Sequence, residues 1–310
     1  MRILLGALLS GALVLSARAQ DAPMPPAPPA PAVENVIVTS PALRTERALN
    51  NFIIAHAAPT QWLGKIARWK TGICPLTIGL TDRFDQYISQ RILRFAVMAG
   101  APRAPDDRPC RPNILVLAAP QPQALLDFMR TKRPSLLGPH YISQRQKIAT
   151  MTLPVQAWYS TATEDFRGFI SADLPSWDLG YGVMSSGHDA LGFTGAYVSG
   201  SRMGNGLKSE FTTAVIIVDT RKIGGQQIGP LADYIAMLAL SQGKSYDTCQ
   251  DVPTINNLLA ADCPDNLKPA AITDIDATYL RGLYQMDAGR DFLGQRGSIA
   301  YEMKKELGGY

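Results

Sequence analysis

The chain has 310 residues, with 30 Lys and Arg against 26 Asp and Glu, a formal charge of +4 and 46% hydrophobic residues. That apolar content supports a sizeable core and excludes a disordered or low-complexity chain. Basic residues are scattered singly, and the late pair Lys304-Lys305 is flanked by Glu302 and Glu306, so no basic stripe points to a nucleic-acid partner.

Arg2 opens the chain, residues 3–15 form an apolar run relieved by Gly and Ser, and Ala17-Arg18-Ala19 puts small residues where a signal peptidase reads. This pattern predicts a signal peptide over residues 1–19, cut between Ala19 and Gln20. The run falls short of the roughly 20 apolar residues that span a bilayer, so no transmembrane helix is expected in the mature chain. Loss of Arg2 and Arg18 lowers the charge to +2. The expected product is soluble and either periplasmic or secreted. Residues 20–42 read as a Pro/Ala-rich linker with a short extended segment at Val36-Ile37-Val38, and the proline-dense stretch 22–32 reaches on the order of 35 Å as polyproline II.

From there the elements alternate. Leu49, Phe52, Ile53 and His56 recur at helical spacing within 43–56. Residues 73–80 read as a strand, followed by the clearest helix, 82–99. Its apolar face carries Phe84, Tyr87, Ile88, Ile92, Phe95, Ala96 and Ala99, with Thr81 as N-cap and Gly100 as terminator. A second buried-type strand occupies 113–119 and a short helix 123–131. Val155, Ala157 and Tyr159 alternate as a half-buried strand. Residues 166–191 read as a long polar surface excursion. Segments 192–199 and 210–219 read as paired strands around a turn, the second central because it contains Ala-Val-Ile-Ile-Val. An apolar helix is expected at 231–241. A capping-box start at Thr273 and Asp276 opens a helix through Met286, and a last amphipathic helix spans 298–307. The order implies one α+β domain over 43–310, a mixed sheet with flanking helices.

Four cysteines, Cys74, Cys110, Cys249 and Cys263, have no C-x-x-C spacing for a metal. An even count in an exported chain reads as disulfides, and the spacing suggests Cys74–Cys110 and Cys249–Cys263 among three connectivities.

No complete catalytic motif emerges, and no catalytic, cofactor-binding or metal-binding residue is assigned. His56, His140 and His188 lie too far apart for an i, i+4 zinc helix. Ser185-Ser186-Gly187-His188-Asp189 sets triad residue types side by side, where a triad needs them converging in space. Gly200-Ser201-Arg202-Met203-Gly204-Asn205-Gly206 lacks the immediate Lys-Ser/Thr of a P-loop and reads as a turn. Glu164 and Asp165 sit next to each other and would point to opposite strand faces, which suits a solvated strand end. Trp62, Trp69 and Trp177 are the aromatics that sugar stacking would use, though single tryptophans are more often packing.

The segments LGKIARWKTGICP (63–75), PVQAWYSTATED (154–165), GPLADYIAMLALSQ (229–242) and LRGLYQM (280–286) resemble a group of uncharacterised exported proteins of alphaproteobacteria. The order of strand 210–219, Gly-rich link, helix 231–241, disulfide loop and helix around LRGLYQM is also similar to secreted zincin-like proteins. Carried over residue by residue, that resemblance places the two ligand histidines on Ala232 and Ala236. The catalytic glutamate falls on Asp233, the glycine on Ala239 and the third ligand on Gln242. It therefore implies a zincin-like shell without zinc and with no cofactor. The resulting expectation is a non-catalytic binding or structural role in the cell envelope, with an envelope protein or a glycan as partner. The alternatives are a periplasmic hydrolase using Glu164, His188 or Asp233, and a carbohydrate-binding module.

Overall fold

A computed structural model describes residues 46–105, 109–138, 140, 142–173, 197–199, 204–243 and 248–308. The expected signal peptide and cleavage site, the expected proline linker, Val36 to Val38, Trp177, the Ser185 to Asp189 cluster and Gly200 to Met203 lie outside these residues. All described residues belong to one compact unit, Val36–Tyr310.

Among the described residues the order is α1 (Glu46–His56), β1 (Ala67–Arg68), β2 (Pro75–Ile78), α2 (Asp82–Ala99), β3 (Ile114–Ala119), α3 (Pro122–Lys132), α4 (Ile142–Ile148), β4 (Val155–Glu164), β5 (Ile170–Ala172), β6 (Lys208–Asp219), α5 (Ile228–Leu240), α6 (Asp274–Gln285) and α7 (Phe292–Glu306), with short 3-10 turns between some of them. One mixed sheet runs β2-β3-β6-β4-β5, and β1 pairs with β6. β2, β3 and β1 are parallel to their neighbours, whereas β4 is antiparallel to both β6 and β5. The chain is thus an α+β domain built on a mixed sheet, as its element order implies.

Alternation along β3 and β6 explains the layering. Ile114, Val116, Ala118, Ala214, Ile216 and Val218 turn to one core, built with α1, α2, α5, α6 and α7. Val215 and Ile217 turn to a smaller core with Leu126, Met129, Leu137 and Trp158. A strand buried on both faces reads as a continuous apolar run, which is how 214–218 reads. Near the start of β6 the register breaks: Ser160 faces Thr213 but Thr161 faces Phe211, leaving Thr212 as an extra residue. Such a bulge re-aims the strand. Phe211 thereby joins the main core beside Trp69 and Tyr159.

α2 has the expected bounds, and Gly100 ends it at φ +77°, a left-handed conformation that costs glycine little. Thr81 occupies the N-cap without a side-chain bond. On the expected apolar face Phe84 is exposed, and Arg91 is buried among the apolar residues instead. α6 carries the full capping box, Thr273 and Asp276 bonding reciprocally. Against α7 it comes close at Gly282, where a Cβ would stand 3.1 Å from the Ile299 carbonyl oxygen. α7 begins earlier than periodicity indicated because Asp291 caps it, accepting from the Gly294 N–H at 2.7 Å.

One segment gains an element and two expectations are revised. Residues 142–148 are helical, although ISQRQKI shows little apolar periodicity, and Gln123 docks this region by donating to the Ala149 carbonyl. The excursion 166–191 includes β5, which forms an edge of the sheet. Among the described residues β6 pairs with β4, β3 and β1, and residues 192–196 of the strand expected beside it lie outside them. Among the described part of that segment, Ser199 meets only the loop before β6, donating from its backbone to the Asn205 carbonyl. A strand apolar on both faces needs neighbours on both edges, and β3 and β4 supply them.

Both expected disulfides are present, Cys74–Cys110 with Cα atoms 6.0 Å apart and Cys249–Cys263 with 5.0 Å. They clip the start of β2 and the loop after α5. Each restricts the unfolded chain by roughly 3–4 kcal/mol in the chain-entropy description. Peptide mapping without reduction is expected to recover these two links, and reduction to lower the melting temperature. Free thiols in freshly isolated protein would contradict the pairing.

Candidate functional site

On helix α5 every residue from Pro230 to Leu240 is buried. Ala232, Ala236 and Ala239, on which the zincin-like pattern would put two histidines and the glycine, are each 0% exposed. A methyl group there offers no lone pair and faces no solvent. Asp233 is equally enclosed and already spent: Arg91 on α2 forks onto it, Nε to Oδ1 and Nη2 to Oδ2 at 3.0 Å, while the Ile272 N–H donates to Oδ2 at 2.9 Å. The guanidinium also stands 5.1 Å over the Phe95 ring. Asp233 thus ties α5 to α2 and to the approach to α6, and has no path to a substrate. Gln242 is half-buried just past α5, its backbone carbonyl accepting from the Ala58 N–H at 2.9 Å.

His56 is fully buried, its Nδ1 donating to the Phe52 carbonyl at 2.8 Å and its ring stacked on Phe52. His140 is half-buried, with burial first and Arg145 second lowering its pKa. Trp69 is in the core and donates to the Ala239 carbonyl at 2.8 Å, which removes it from any sugar-stacking surface. Trp62 is half-buried. Among the described residues no three His, Cys, Asp or Glu side chains gather as a metal-holding group.

Polar groups converge instead where β4, β6 and the segment after β1 meet. Ala162 faces Glu210 and Glu164 faces Lys208 across the antiparallel pair, so Glu164, Lys208 and Glu210 share one face of the sheet. Lys70 Nζ donates to Glu164 Oε2, and Lys208 Nζ to Glu164 Oε1 at 3.4 Å. The lysine side chains stay 51% and 41% exposed while that of Glu164 is 5% exposed. Burial pushes the Glu164 carboxyl up, but the two lysines outweigh it and hold the group below its usual range. Glu210, 4% exposed, has the opposite balance: burial first, then Glu164 and Asp173, raise it against Lys70 and Lys208. Its Oε2 is buried and accepts no hydrogen bond.

Asp173 borders this group after β5, accepting from Thr161 Oγ1 at 2.5 Å and Thr163 Oγ1 at 2.7 Å; burial raises its pKa. Asp165 turns away to hold the loop that follows, accepting from the N–H groups of Arg167 and Phe169 at 2.9 Å and Tyr197 at 3.3 Å. Burial pushes its pKa up and these backbone bonds bring it below normal. The Glu164-Asp165 pair is therefore no solvated strand end. Both residues are buried because lysines and backbone N–H groups, distant in sequence, satisfy them. Glu210, Lys70 and Lys208 were not singled out by sequence. The available signal was Lys208 and Glu210 alternating ahead of the apolar run of β6.

Compared with known protein families, curated proteins and solved structures, the chain matches none.

Proposed function

We propose that this is an exported protein of the cell envelope with a non-catalytic binding or structural role, a zincin-like shell whose catalytic helix has become core. The observation that carries this reading is the burial of α5 on every side, with alanine at both places where imidazoles would stand. A catalytic helix must present donors to a cleft, and an open zinc site needs about three of them. Here the one acidic side chain of the helix neutralises an arginine in the interior. Export rests on the leader-like residues 1–19 and fits two disulfides, which persist in oxidising compartments. No described helix is long and apolar enough to cross a membrane.

The purified mature chain is expected to carry no stoichiometric zinc, and a chelator to leave its melting temperature unchanged. Elemental analysis giving about one zinc per chain, lost on replacing His140 or His188, would overturn the reading.

A second reading, a periplasmic hydrolase working through Glu164, draws on the opposite pushes on the Glu164 and Glu210 carboxyls, the pattern of an acid and base pair. Hydrolysis of a glycoside or ester reporter, abolished in both Glu164→Gln and Glu210→Gln, would put this reading in place of the first.

A further inference from the structure

A carboxyl that is 4% exposed, with a buried oxygen that accepts nothing, is costly to keep in a folded protein. Glu210 is such a group, and it lies on the same sheet face as Glu164 and Lys208, within electrostatic reach of Lys70 and Asp173. Each lysine gives one bond to Glu164 and has further N–H donors, and both are about half exposed. The site therefore has an unfilled acceptor inside and unfilled cationic donors at its edge.

We infer that Glu210, Glu164, Lys70 and Lys208 form a binding site for a small zwitterionic amine–carboxylate ligand. Its carboxylate meets the two half-exposed lysines, and its ammonium group reaches Glu210 Oε2 once the side chains that cover this oxygen part for it. The inference rests on the reading of this chain as a binding protein and names the ligand class. A ligand with a positive charge alone would meet Lys70 and Lys208, and one with a negative charge alone would meet Glu210, Glu164 and Asp173. A dipolar ligand satisfies both ends, and the orphaned oxygen gains a charge-assisted bond. Metal is the poorer occupant, because two lysines stand in the same cluster.

The test is a calorimetric or NMR titration of the mature chain with glycylglycine and with L-alanine, and with acetate and methylammonium as single-charge probes. At least one zwitterion is expected to saturate the protein at a Kd of about 1 mM or tighter. Glu210→Gln is expected to fold with a melting temperature at or above that of the parent, since it removes a buried unpaired carboxyl, and to weaken binding at least about tenfold. Lys208→Ser, at a half-exposed position, is expected to weaken it several-fold and gives a second readout should Glu210→Gln fold poorly. The inference is overturned if neither zwitterion saturates, if Glu210→Gln binds as the parent does, or if acetate or methylammonium alone binds as tightly. Stoichiometric zinc would instead overturn the non-catalytic reading, so the two failures are told apart.

Discussion

Replacing Asp233 with Ala is expected to destabilise the protein by about 3–5 kcal/mol, because the substitution leaves a guanidinium without its partner in the core. Arg91 is 4% exposed and Asp233 1%, and each partner is the other's charge compensation. Total stabilities of about 5–15 kcal/mol make this loss a large part of what holds a domain folded. Arg91→Ala is expected to cost a similar amount, since it leaves the carboxylate buried. The pair Arg91→Met with Asp233→Leu should recover most of the loss, as apolar side chains of similar volume remove both charges together. Recovery stays incomplete by about 1–3 kcal/mol, because the Ile272 N–H then has no acceptor. Urea titrations of the three variants measure this directly. A loss below about 1 kcal/mol for Asp233→Ala would mean that the pair is solvated and that α5 is not enclosed.

The same pair shows which parts of this fold the sequence makes legible. The bounds of α2 follow from a stripe of apolar residues ended by glycine, and α6 follows from a capping box, both encoded within a few residues. The central position of β6 follows from a run apolar on both faces. Burial of Arg91 is a tertiary fact, because a charged residue inside an apolar stripe needs a partner from another element. Two local signals were there to be joined: Arg91 sits between Ile88 and Ile92 on the α2 stripe, and Asp233 is the single charge in an otherwise apolar α5. Spacing within one helix makes Asp233 resemble a catalytic carboxylate, whereas the arginine that answers it lies 142 residues away.

The candidate site was less legible for the same reason. Glu164 was visible as half of an acidic pair, but whether it faces water or lysines depends on the β4–β6 register and on where β1 delivers Lys70. The bulge at Thr212 sets that register. With it, Phe211 enters the main core and Glu210 takes the opposite face; no pattern within 208–213 announces the extra residue. Strand alternation therefore misassigns faces on one side of the bulge until the partner strand is known.

Acid is expected to destabilise the protein through His56 by about 3 kcal/mol between pH 6.5 and 4, with the steepest fall midway between these values. Burial lowers the pKa of His56 from 6.5 to about 4, the Phe52 carbonyl offsetting only part of that push. A carbonyl only accepts, so Nδ1 carries the proton in the neutral ring. The residue sits at the end of α1, stacked on Phe52 and edge-on to Tyr279, whose hydroxyl donates to the His56 carbonyl at 2.6 Å. Above pH 6.5 the ring is neutral in both folded and unfolded chains and contributes no pH dependence. Between 6.5 and about 4 the unfolded chain takes up the proton and the folded one does not, so stability falls as pH falls; below about 4 both are charged and the loss is complete. Asp173, Glu210 and Asp276, whose carboxyls burial raises, act in the opposite sense by taking up protons more readily when folded. The comparison must therefore be a difference. His56→Phe keeps the stacking and cannot titrate, so its stability measured against pH should lack about 3 kcal/mol of the parent's fall between pH 7.5 and 4. Superimposable pH profiles for parent and variant would mean that the ring is reached by water, and that the junction of α1 with α6 opens before the rest of the fold.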